Sequence, residues 1–328
     1  MLRVALSEDM RGADGKTPYD VSLLAESGIE WTFVEGQEPE LAGLDVLIAL
    51  QPYVTGRTLE HADRLSLIAR VGVGLDRIDL LECTRRGVLV TTAPDGVRRP
   101  LAAGTMALLL ALAHRIPERD RRMRTGWWSR QELSGIGLRA RTLGLIGLGN
   151  VGRELCLLAE PFELRVIAAD PYVADAPAGV ELVELDELLR QSDFVVCLCP
   201  LTDETRGLLD GRRLALLKPT AFLVNVARGP IVDQAALTDA LRNRSIAGAA
   251  LDVFEQEPID RDDALLGLDN VILSPHALAL TDEAYAGSGR SACEAVLAFA
   301  RGEAPRHLAN PKALEHPRLR DRLYAHAP

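Results

Sequence analysis

Three polar side chains in the second half of the chain are of the types that together assist the reduction of a carbonyl group. Hydride transfer to a 2-oxo acid requires a cationic hydrogen-bonding group for the carboxylate and the carbonyl, a proton donor that titrates near neutral pH, and a carboxylate that keeps the donor protonated. Arg228 in VNVARGPIVD, His276 in LSPHALALT and Glu257 in LDVFEQEP would fill these roles in that order. Asp252 and Glu255 lie in the same stretch as Glu257. Each residue alone also has a structural interpretation, because an arginine before Gly-Pro is usually a loop charge and a lone histidine is more often structural.

A glycine motif earlier in the chain could bind phosphate. Gly147, Gly149 and Gly152 have G-x-G-x-x-G spacing in GLGNVG, between the strand-like TLGLI and the helix-like VGRELCLLAE. In this context the first glycine permits a tight turn, the second lets a pyrophosphate approach the backbone, and the third lets helix and strand pack closely. The helix N-terminus then presents N–H groups and a positive dipole end to the phosphates. A structural glycine turn is the alternative, but the strand–turn–helix context favours a dinucleotide.

Asp170 ends the next apolar run, LRVIAAD, 18 residues after Gly152. At this position an acidic side chain can accept hydrogen bonds from the adenosine ribose hydroxyls. Its charge would repel a 2′-phosphate, and the following Pro171 and Tyr172 supply no arginine to attract one. The sequence therefore favours NAD over NADP, although such a carboxylate can also be simply the first polar residue of a loop.

These residues belong to an alternation of short apolar runs and amphipathic stretches, which predicts parallel α/β sheets. Strand candidates in the first hundred residues are LRVALSE, DVLIAL, LSLIARVG and VLVTTA; those of a second series are TLGLIG, LRVIAAD, DFVVCLC, AFLVNVA, IAGAALDV and VILSP. Two such series predict an α/β fold with two doubly wound domains. Because carboxyl ends of parallel strands line the ligand crevice, the polar residues after them are expected to meet there.

Two helices are expected to join the domains. LAAGTMALLLALAHR, residues 101–115, is apolar nearly all round, which predicts a buried helix that crosses between domains or lies in an oligomer interface. An amphipathic helix near DEAYAGSGRSACEAVLAFARG is expected to carry the chain back to the first domain.

Composition excludes several classes of function. The 328 residues are 48% hydrophobic and 26% charged, which indicates a globular protein with room for two domains. A net charge of −10 argues against binding to nucleic acid or to an anionic membrane. We expect neither a signal peptide nor a membrane span. The five cysteines lack metal-ligand spacing, and Cys197 and Cys199 are interpreted as core residues, so we expect no metal and a cytoplasmic location.

Taken in order along nearly the whole chain, six motifs resemble those of the NAD-dependent D-2-hydroxyacid dehydrogenases. This family includes phosphoglycerate, glycerate and D-lactate dehydrogenases and glyoxylate/hydroxypyruvate reductases. The motifs are RVGVGLDRID (70–79), LGLIGLGNVGRE (143–154), CPLTDETRGLLD (199–210), VNVARGPIVD (224–233), GAALDVFEQEP (248–258) and SPH (274–276).

The resemblance implies a Rossmann NAD-binding domain at residues 101–282 and a discontinuous, flavodoxin-like substrate domain at residues 1–100 and 283–328. It also implies a homodimer built around residues 101–128. Arg228, Glu257 and His276 would be catalytic, and the backbone of Gly72, Val73 and Gly74 would bind the substrate carboxylate. Asp252 would meet the nicotinamide carboxamide, and further cofactor contacts would come from Asn150, Val151, Pro200, Thr205, Val226 and Ala227.

The chain departs from the family pattern in two places. Members commonly carry an asparagine where this chain has Val97 and a glutamate where it has Ala103, and Arg98 and Arg99 enter the same segment. Either these arginines are solvated or pair with acidic neighbours, or at least one binds a second anionic group of the substrate. After the histidine, Leu278 replaces a small residue, either to fill the core or to narrow the pocket.

Two other functions stay open on this fold. One is an NAD(H)-sensing, corepressor-like binding protein, and the other is a dehydrogenase of the formate or phosphite type.

Overall fold

The computed structural model describes residues 2–324. The chain divides into two compact units. The terminal unit comprises the residues up to Val97 and from Leu280 onward, and the central unit comprises Arg98–Ala279. Both boundaries lie three residues before the predicted ones at residues 100 and 282.

The described residues include twelve strands and ten α-helices. The strands are β1 (Val4–Ser7), β2 (Trp31–Val34), β3 (Val46–Ala49), β4 (Leu67–Arg70), β5 (Leu89–Thr91), β6 (Thr142–Ile146), β7 (Arg165–Ala169), β8 (Val180–Leu182), β9 (Phe194–Cys197), β10 (Phe222–Asn225), β11 (Gly248–Leu251) and β12 (Val271–Leu273). The helices are α1 (Ser22–Glu26), α2 (Leu80–Arg85), α3 (Pro94–Ala113), α4 (Ile116–Met123), α5 (Asn150–Ala159), α6 (Leu185–Gln191), α7 (Gly211–Leu214), α8 (Gln234–Arg242), α9 (Asp282–Ala300) and α10 (Pro317–Tyr324).

The terminal unit contains a five-stranded parallel sheet in the order β2-β1-β3-β4-β5. Strands β1, β3, β4 and β5 are buried along their whole length, as expected for a parallel sheet covered on both faces. Helix α9 packs against β4 and α1. The edge strand β2 is not among the predicted strands, because the exposed Thr32 interrupts its apolar run.

The central unit contains a seven-stranded parallel sheet in the order β12-β11-β10-β9-β6-β7-β8. The chain winds outward from β6 in one direction through β7 and β8, then returns to β9 and continues to β12. This reversal beside β6 is the switch point at which doubly wound sheets bind ligands. The two parallel sheets with their helices confirm the predicted α/β fold class.

Helix α3 is longer than the predicted helix and begins seven residues earlier, at Pro94. By length and apolar composition it could cross a membrane, but half of its apolar window is buried inside the protein. We interpret it as a core helix, because Ala102, Leu109 and Leu112 join the hydrophobic cluster around β6. Its other face leaves Ala103 and Ala107 exposed.

The five cysteines are free thiols. Cys197 is fully buried in β9, and Cys199 follows the strand and is partly buried. Burial raises the pKa of Cys199 to about 11, so this thiol stays protonated near neutral pH. Within residues 2–324, no group of three His, Cys, Asp or Glu side chains is arranged to hold a metal ion.

Candidate active site

Three adjacent strands of the central sheet present the predicted proton-transfer residues at one edge. Strands β10, β11 and β12 are neighbours and run parallel. Arg228 follows the end of β10 by three residues, Asp252 follows β11 directly, and His276 follows β12 by three residues. The parallel register therefore brings these segments to the same carboxyl edge.

His276 and Glu257 are in direct contact. Nδ1 of His276 lies 2.8 Å from Oε2 of Glu257, and the two side chains are 32% and 26% exposed. Burial by itself would raise the pKa of Glu257. The hydrogen bond and charge of His276, the backbone N–H of Phe254 and the charge of Arg228 outweigh burial and hold the pKa below its ordinary value. The structure thus keeps an anionic carboxylate on one ring nitrogen and leaves Nε2 for another partner.

A buried carboxylate supports the backbone that carries His276. His276 has a left-handed conformation with φ of +53°, which costs a residue with a side chain about 1–2 kcal/mol. Asp252 is only 2% exposed, and its carboxylate accepts hydrogen bonds from the N–H groups of Ala277 at 3.0 Å and Leu278 at 3.2 Å. These bonds fix the turn that begins at His276. The structure therefore gives Asp252 a positioning role beside the nicotinamide contact predicted for it.

A buried amide, which the sequence analysis missed, shapes the turn that carries Arg228. Asn225 is 1% exposed; its Nδ2 donates to the Arg228 carbonyl at 2.9 Å, and its Oδ1 accepts from the Ala227 N–H at 3.1 Å. The available signal was a polar residue ending the apolar run in VNVARG. Val226 and Ala227, predicted to meet the cofactor, are themselves largely buried.

Close backbone packing joins the Arg228 turn to the Glu257 loop. A Cβ atom on Gly229 would lie 1.8 Å from the carbonyl carbon of Phe254, so this position requires glycine. Glu255 turns away from the site, because its carboxylate accepts the N–H of Gln234 at 3.0 Å and its own N–H donates to the Gln234 side chain. Of the two glutamates, the structure brings Glu257 to His276.

The glycine motif forms a cradle between β6 and α5. Gly147 has φ of +98°, and a Cβ there would lie 2.7 Å from the Cys199 backbone nitrogen. A Cβ on Gly152 would lie 2.9 Å from the Gly147 carbonyl oxygen, whereas Gly149 faces open space. Asn150 and Val151 open helix α5, directly after Gly149 as its N-cap residue. The open space beside Gly149 and the uncapped helix N-terminus fit a pyrophosphate.

Asp170 braces this cradle from the end of β7. One carboxylate oxygen accepts the Leu148 N–H at 2.8 Å, and the other accepts the Tyr172 N–H at 2.9 Å. The side chain is partly exposed, so it keeps lone pairs for a ligand. This geometry fits the ribose contact predicted for it.

Asp170 also lines a cleft of about 690 Å³, which we name the adenosine cleft. Its walls include Ile146, Gly147, Ala169, Val183, Leu185, Cys199, Pro200, Thr205 and Leu208. The Thr205 hydroxyl donates to the Pro200 carbonyl at 2.6 Å, which fixes the loop holding these two predicted cofactor residues. Its acidic lining residues are Asp170, Glu184, Asp203 and Glu204, and the residues described as lining it include no lysine or arginine. An uncharged ribose 2′-hydroxyl suits these walls better than a 2′-phosphate.

The predicted carboxylate-binding loop lies in the terminal unit, after β4. Gly72, Val73 and Gly74 follow Arg70, the last residue of that strand. The Gly72 carbonyl accepts the Ala93 N–H at 3.0 Å, and Val73 is 43% exposed. The loop is thus anchored at one end and accessible at its centre.

Arg98 and Arg99 share one acidic neighbour. The carboxylate of Glu154 in α5 lies 3.4 Å from Nε of Arg98 and 2.7 Å from Nη1 of Arg99. Glu154 is 15% exposed, whereas the two arginine side chains are 44% and 49% exposed. This is the pairing with an acidic neighbour that the sequence left open.

Leu278 packs against helix α3. It is partly buried against the cluster around β6, and a Cβ on Gly104 would lie 2.6 Å from its Cγ. The larger side chain thus occupies the space above a glycine, in line with the core-filling interpretation.

Comparison with known proteins identifies the family of this chain. Residues 106–277 match the family model described as D-isomer specific 2-hydroxyacid dehydrogenase, NAD binding domain. The chain is 41% identical over 261 residues to D-3-phosphoglycerate dehydrogenase of Methanocaldococcus jannaschii, an alignment covering 78% of this chain and half of that protein. It is 40% identical over 279 residues to glyoxylate reductase of Korarchaeum cryptofilum, covering 83% and 84% of the two chains.

A solved relative shows the same architecture. D-lactate dehydrogenase of Aquifex aeolicus, complexed with NAD and lactic acid, superposes with a TM-score of 0.80 at 27% identity, covering 92% of this chain and 96% of that one. This chain spans about half the length of the phosphoglycerate dehydrogenases that it matches. With the family model matched from residue 106 to residue 277, this chain belongs to the D-isomer specific 2-hydroxyacid dehydrogenase family.

Proposed function

We propose that this protein is an NAD-dependent oxidoreductase that interconverts a D-2-hydroxy acid and its 2-oxo acid. The observation that carries the proposal is the 2.8 Å contact between His276 and Glu257, with Arg228 close enough to affect the charge of Glu257. A cation, a carboxylate and an imidazole at one strand edge are the groups that this reduction needs. The glyoxylate reductase and phosphoglycerate dehydrogenase relatives support the same reaction class.

Each residue has a defined task in this proposal. When bound, NADH supplies the hydride for C2 of the substrate. Arg228 binds the substrate carboxylate and carbonyl and stabilises the charge that develops on oxygen. His276 donates a proton from Nε2 to that oxygen, while Glu257 holds Nδ1 and compensates the imidazolium charge. In the oxidative direction, neutral His276 accepts the proton.

The cofactor is proposed to lie along the central unit. The Gly147–Gly152 cradle and the α5 N-terminus, with Asn150 and Val151, would hold the pyrophosphate. Asp170, Pro200 and Thr205 would hold the adenosine, and Val226, Ala227 and Asp252 would adjoin the nicotinamide. These positions follow the sheet edge from its switch point to the catalytic strand ends.

We propose a small, singly charged 2-oxo acid as the preferred substrate. A second anionic group would have to compete with Glu154 for Arg98 and Arg99. The glyoxylate reductase alignment also covers most of both chains. An Arg99→Ala variant should therefore change KM equally for glyoxylate and phosphohydroxypyruvate. A KM that rises only for the doubly charged acid would instead assign the arginines to a second anionic group.

We propose a cytoplasmic homodimer that associates through α3, α4 and the segment after α4. Ile116, Met123 and Trp128 are 52%, 46% and 74% exposed, and α3 leaves Ala103 and Ala107 uncovered. These exposed apolar side chains support an interface on this segment. Light scattering after gel filtration should give twice the chain mass of 35.6 kDa. A monomer at micromolar concentration would contradict the proposal. The five free thiols suit a reducing compartment.

The function is tested by NADH oxidation at 340 nm with glyoxylate, hydroxypyruvate, pyruvate, phosphohydroxypyruvate and 2-oxoglutarate, and with NADPH as the alternative cofactor. We expect turnover with at least one acid, lost in His276→Ala. Tight NADH binding without turnover of any acid would favour the corepressor-like sensor. NAD reduction by formate or phosphite would favour the other alternative.

A further inference from the structure

Two loops meet across the adenosine cleft. Tyr172 lies in the loop after β7, and Glu204 lies in the loop after β9. Strands β7 and β9 flank β6, whose C-terminal end carries the glycine cradle. The Tyr172 hydroxyl donates to Oε2 of Glu204 at 2.5 Å. This hydrogen bond therefore links the two lips of the cleft, on either side of the cradle.

Each lip is braced on its own side. The Tyr172 N–H donates to Asp170, and the Thr205 hydroxyl fixes the 200–205 loop through Pro200. The Tyr172 side chain is 79% exposed and packs little, so its position depends on the bond to Glu204. That bond raises the pKa of the Tyr172 phenol, which therefore stays a proton donor at neutral pH.

We propose that Tyr172 and Glu204 form a clasp that holds the adenosine cleft of the free protein at the spacing needed for the adenosine half of NAD(H), with the Glu204 charge adding to the exclusion of NADPH. The inference rests on the proposed function only in that it assumes NAD(H) binding. Ordering two exposed loops costs conformational entropy when a ligand binds. A bond that exists beforehand removes part of that cost, so it increases affinity without touching the ligand's reactive end.

The first test removes the hydroxyl and keeps the ring. In isothermal titration, Tyr172→Phe should bind NADH with a Kd about three- to tenfold higher than the wild type. The Kd for ADP-ribose, which lacks the nicotinamide, should rise by the same factor. The NADPH-to-NADH ratio of Kd values should stay within about twofold, because no charge changes. In a Glu204→Ala background the Tyr172→Phe change should have no further effect.

The second test separates the clasp from charge. Glu204→Gln keeps an acceptor but removes a charge, so NADPH should gain about two- to fivefold in affinity relative to NADH. Asp175→Asn is the matched control, because Asp175 is an exposed carboxylate in the loop after β7 and is not among the residues that line the cleft. It should leave the ADP-ribose Kd within about twofold of wild type.

Two results would overturn the clasp. The first is an unchanged ADP-ribose Kd in Tyr172→Phe. If stopped-flow traces then show that association and release are both faster by the same factor, the Tyr172–Glu204 bond controls access to the cleft and not affinity. A loss of ADP-ribose affinity in Asp175→Asn as large as in Glu204→Ala would assign the effect to the loss of a loop charge and not to the hydrogen bond. Failure of the wild-type protein to bind NADH or ADP-ribose would contradict the proposed function itself, whereas wild-type binding with an unaffected Tyr172→Phe variant contradicts the clasp alone.

Discussion

The two halves of the central sheet edge are built in different ways. The catalytic half, after β10, β11 and β12, places charged side chains with the help of buried polar groups, since Asn225 is 1% and Asp252 2% exposed. The half proposed to bind adenosine, after β6, β7 and β9 and called the adenosine half, consists of a glycine cradle, the partly exposed Asp170 and largely exposed side chains such as Glu204 and Tyr172.

The difference follows from what each half has to do. Proton transfer depends on a few atoms within hydrogen-bond reach, and a buried hydrogen bond holds such atoms because breaking it costs about 1–3 kcal/mol. Binding a nucleotide depends on shape and on the sign of the local charge, which backbone and solvated carboxylates supply. Substitutions in the catalytic half should therefore change turnover and stability, and those in the adenosine half should change cofactor affinity.

The largest separation of the two halves should come from His276→Ala. We expect kcat to fall by about 10³-fold, because the proton donor is lost. The NADH Kd should stay within about twofold of wild type, because the adenosine half is untouched. Steady-state kinetics and isothermal titration measure the two quantities. An equal loss in both would show that the halves are not independent.

Glu257→Gln should have the next largest effect, with kcat about 10- to 100-fold lower, because the amide cannot compensate an imidazolium. The change should also alter how stability depends on pH. The pKa of Glu257 is lower in the folded protein than its ordinary value near 4.3, so the ionised carboxylate stabilises the fold above that pH. This contribution disappears as the pH falls through the lowered pKa.

Urea unfolding at pH 7 and at about pH 3.5 measures this contribution. The difference in free energy of unfolding between wild type and Glu257→Gln should shrink at the lower pH. A difference that grows on acidification would contradict the ionised state of Glu257.

How far the sequence predicts this molecule depends on burial. Strands with an uninterrupted apolar run were predicted, whereas β2 and β8 were not, because Thr32 and Glu181 interrupt their apolar runs. Strand ends indicated where Arg228 and His276 would emerge. The hydrogen bonds of Asn225 and the pairing of Glu255 with Gln234 depend on turn geometry and tertiary packing.

The hydrogen bond between Tyr172 and Glu204 is another contact that the sequence does not predict, here between more distant segments. Tyr172 and Glu204 are 32 residues apart, in loops that follow two strands separated by β6 in the sheet, so no local pattern connects them. Likewise, the pairing of Leu278 with Gly104 joins two segments distant in the chain.

A smaller effect, on the free energy of unfolding, is expected from a substitution in α3 where Leu278 packs against this helix. Gly104→Ala gains about 1 kcal/mol of helix propensity but places a Cβ 2.6 Å from Leu278 Cγ, and such overpacking costs about 1–3 kcal/mol. We expect a net loss of about 1 kcal/mol in free energy of unfolding. In a Leu278→Ala background the loss should shrink, since the Cγ contact is gone. Equal losses in both backgrounds would mean that Leu278 does not fill this space.

The smallest effect, and the complement of His276→Ala, should come from Asp170→Asn in the adenosine half. The amide keeps the size of the side chain but offers one acceptor oxygen where the carboxylate offers two, for Leu148, Tyr172 and the ribose together. We expect an NADH Kd about three- to fivefold higher, with a smaller change for NADPH because a repelling charge is removed. At saturating NADH, kcat should stay within about twofold, because Arg228, Glu257 and His276 keep their positions. Isothermal titration with both cofactors measures the Kd values, and steady-state kinetics at saturating NADH measures kcat. A large fall in that kcat would show that Asp170 positions the catalytic strand ends as well as the adenosine.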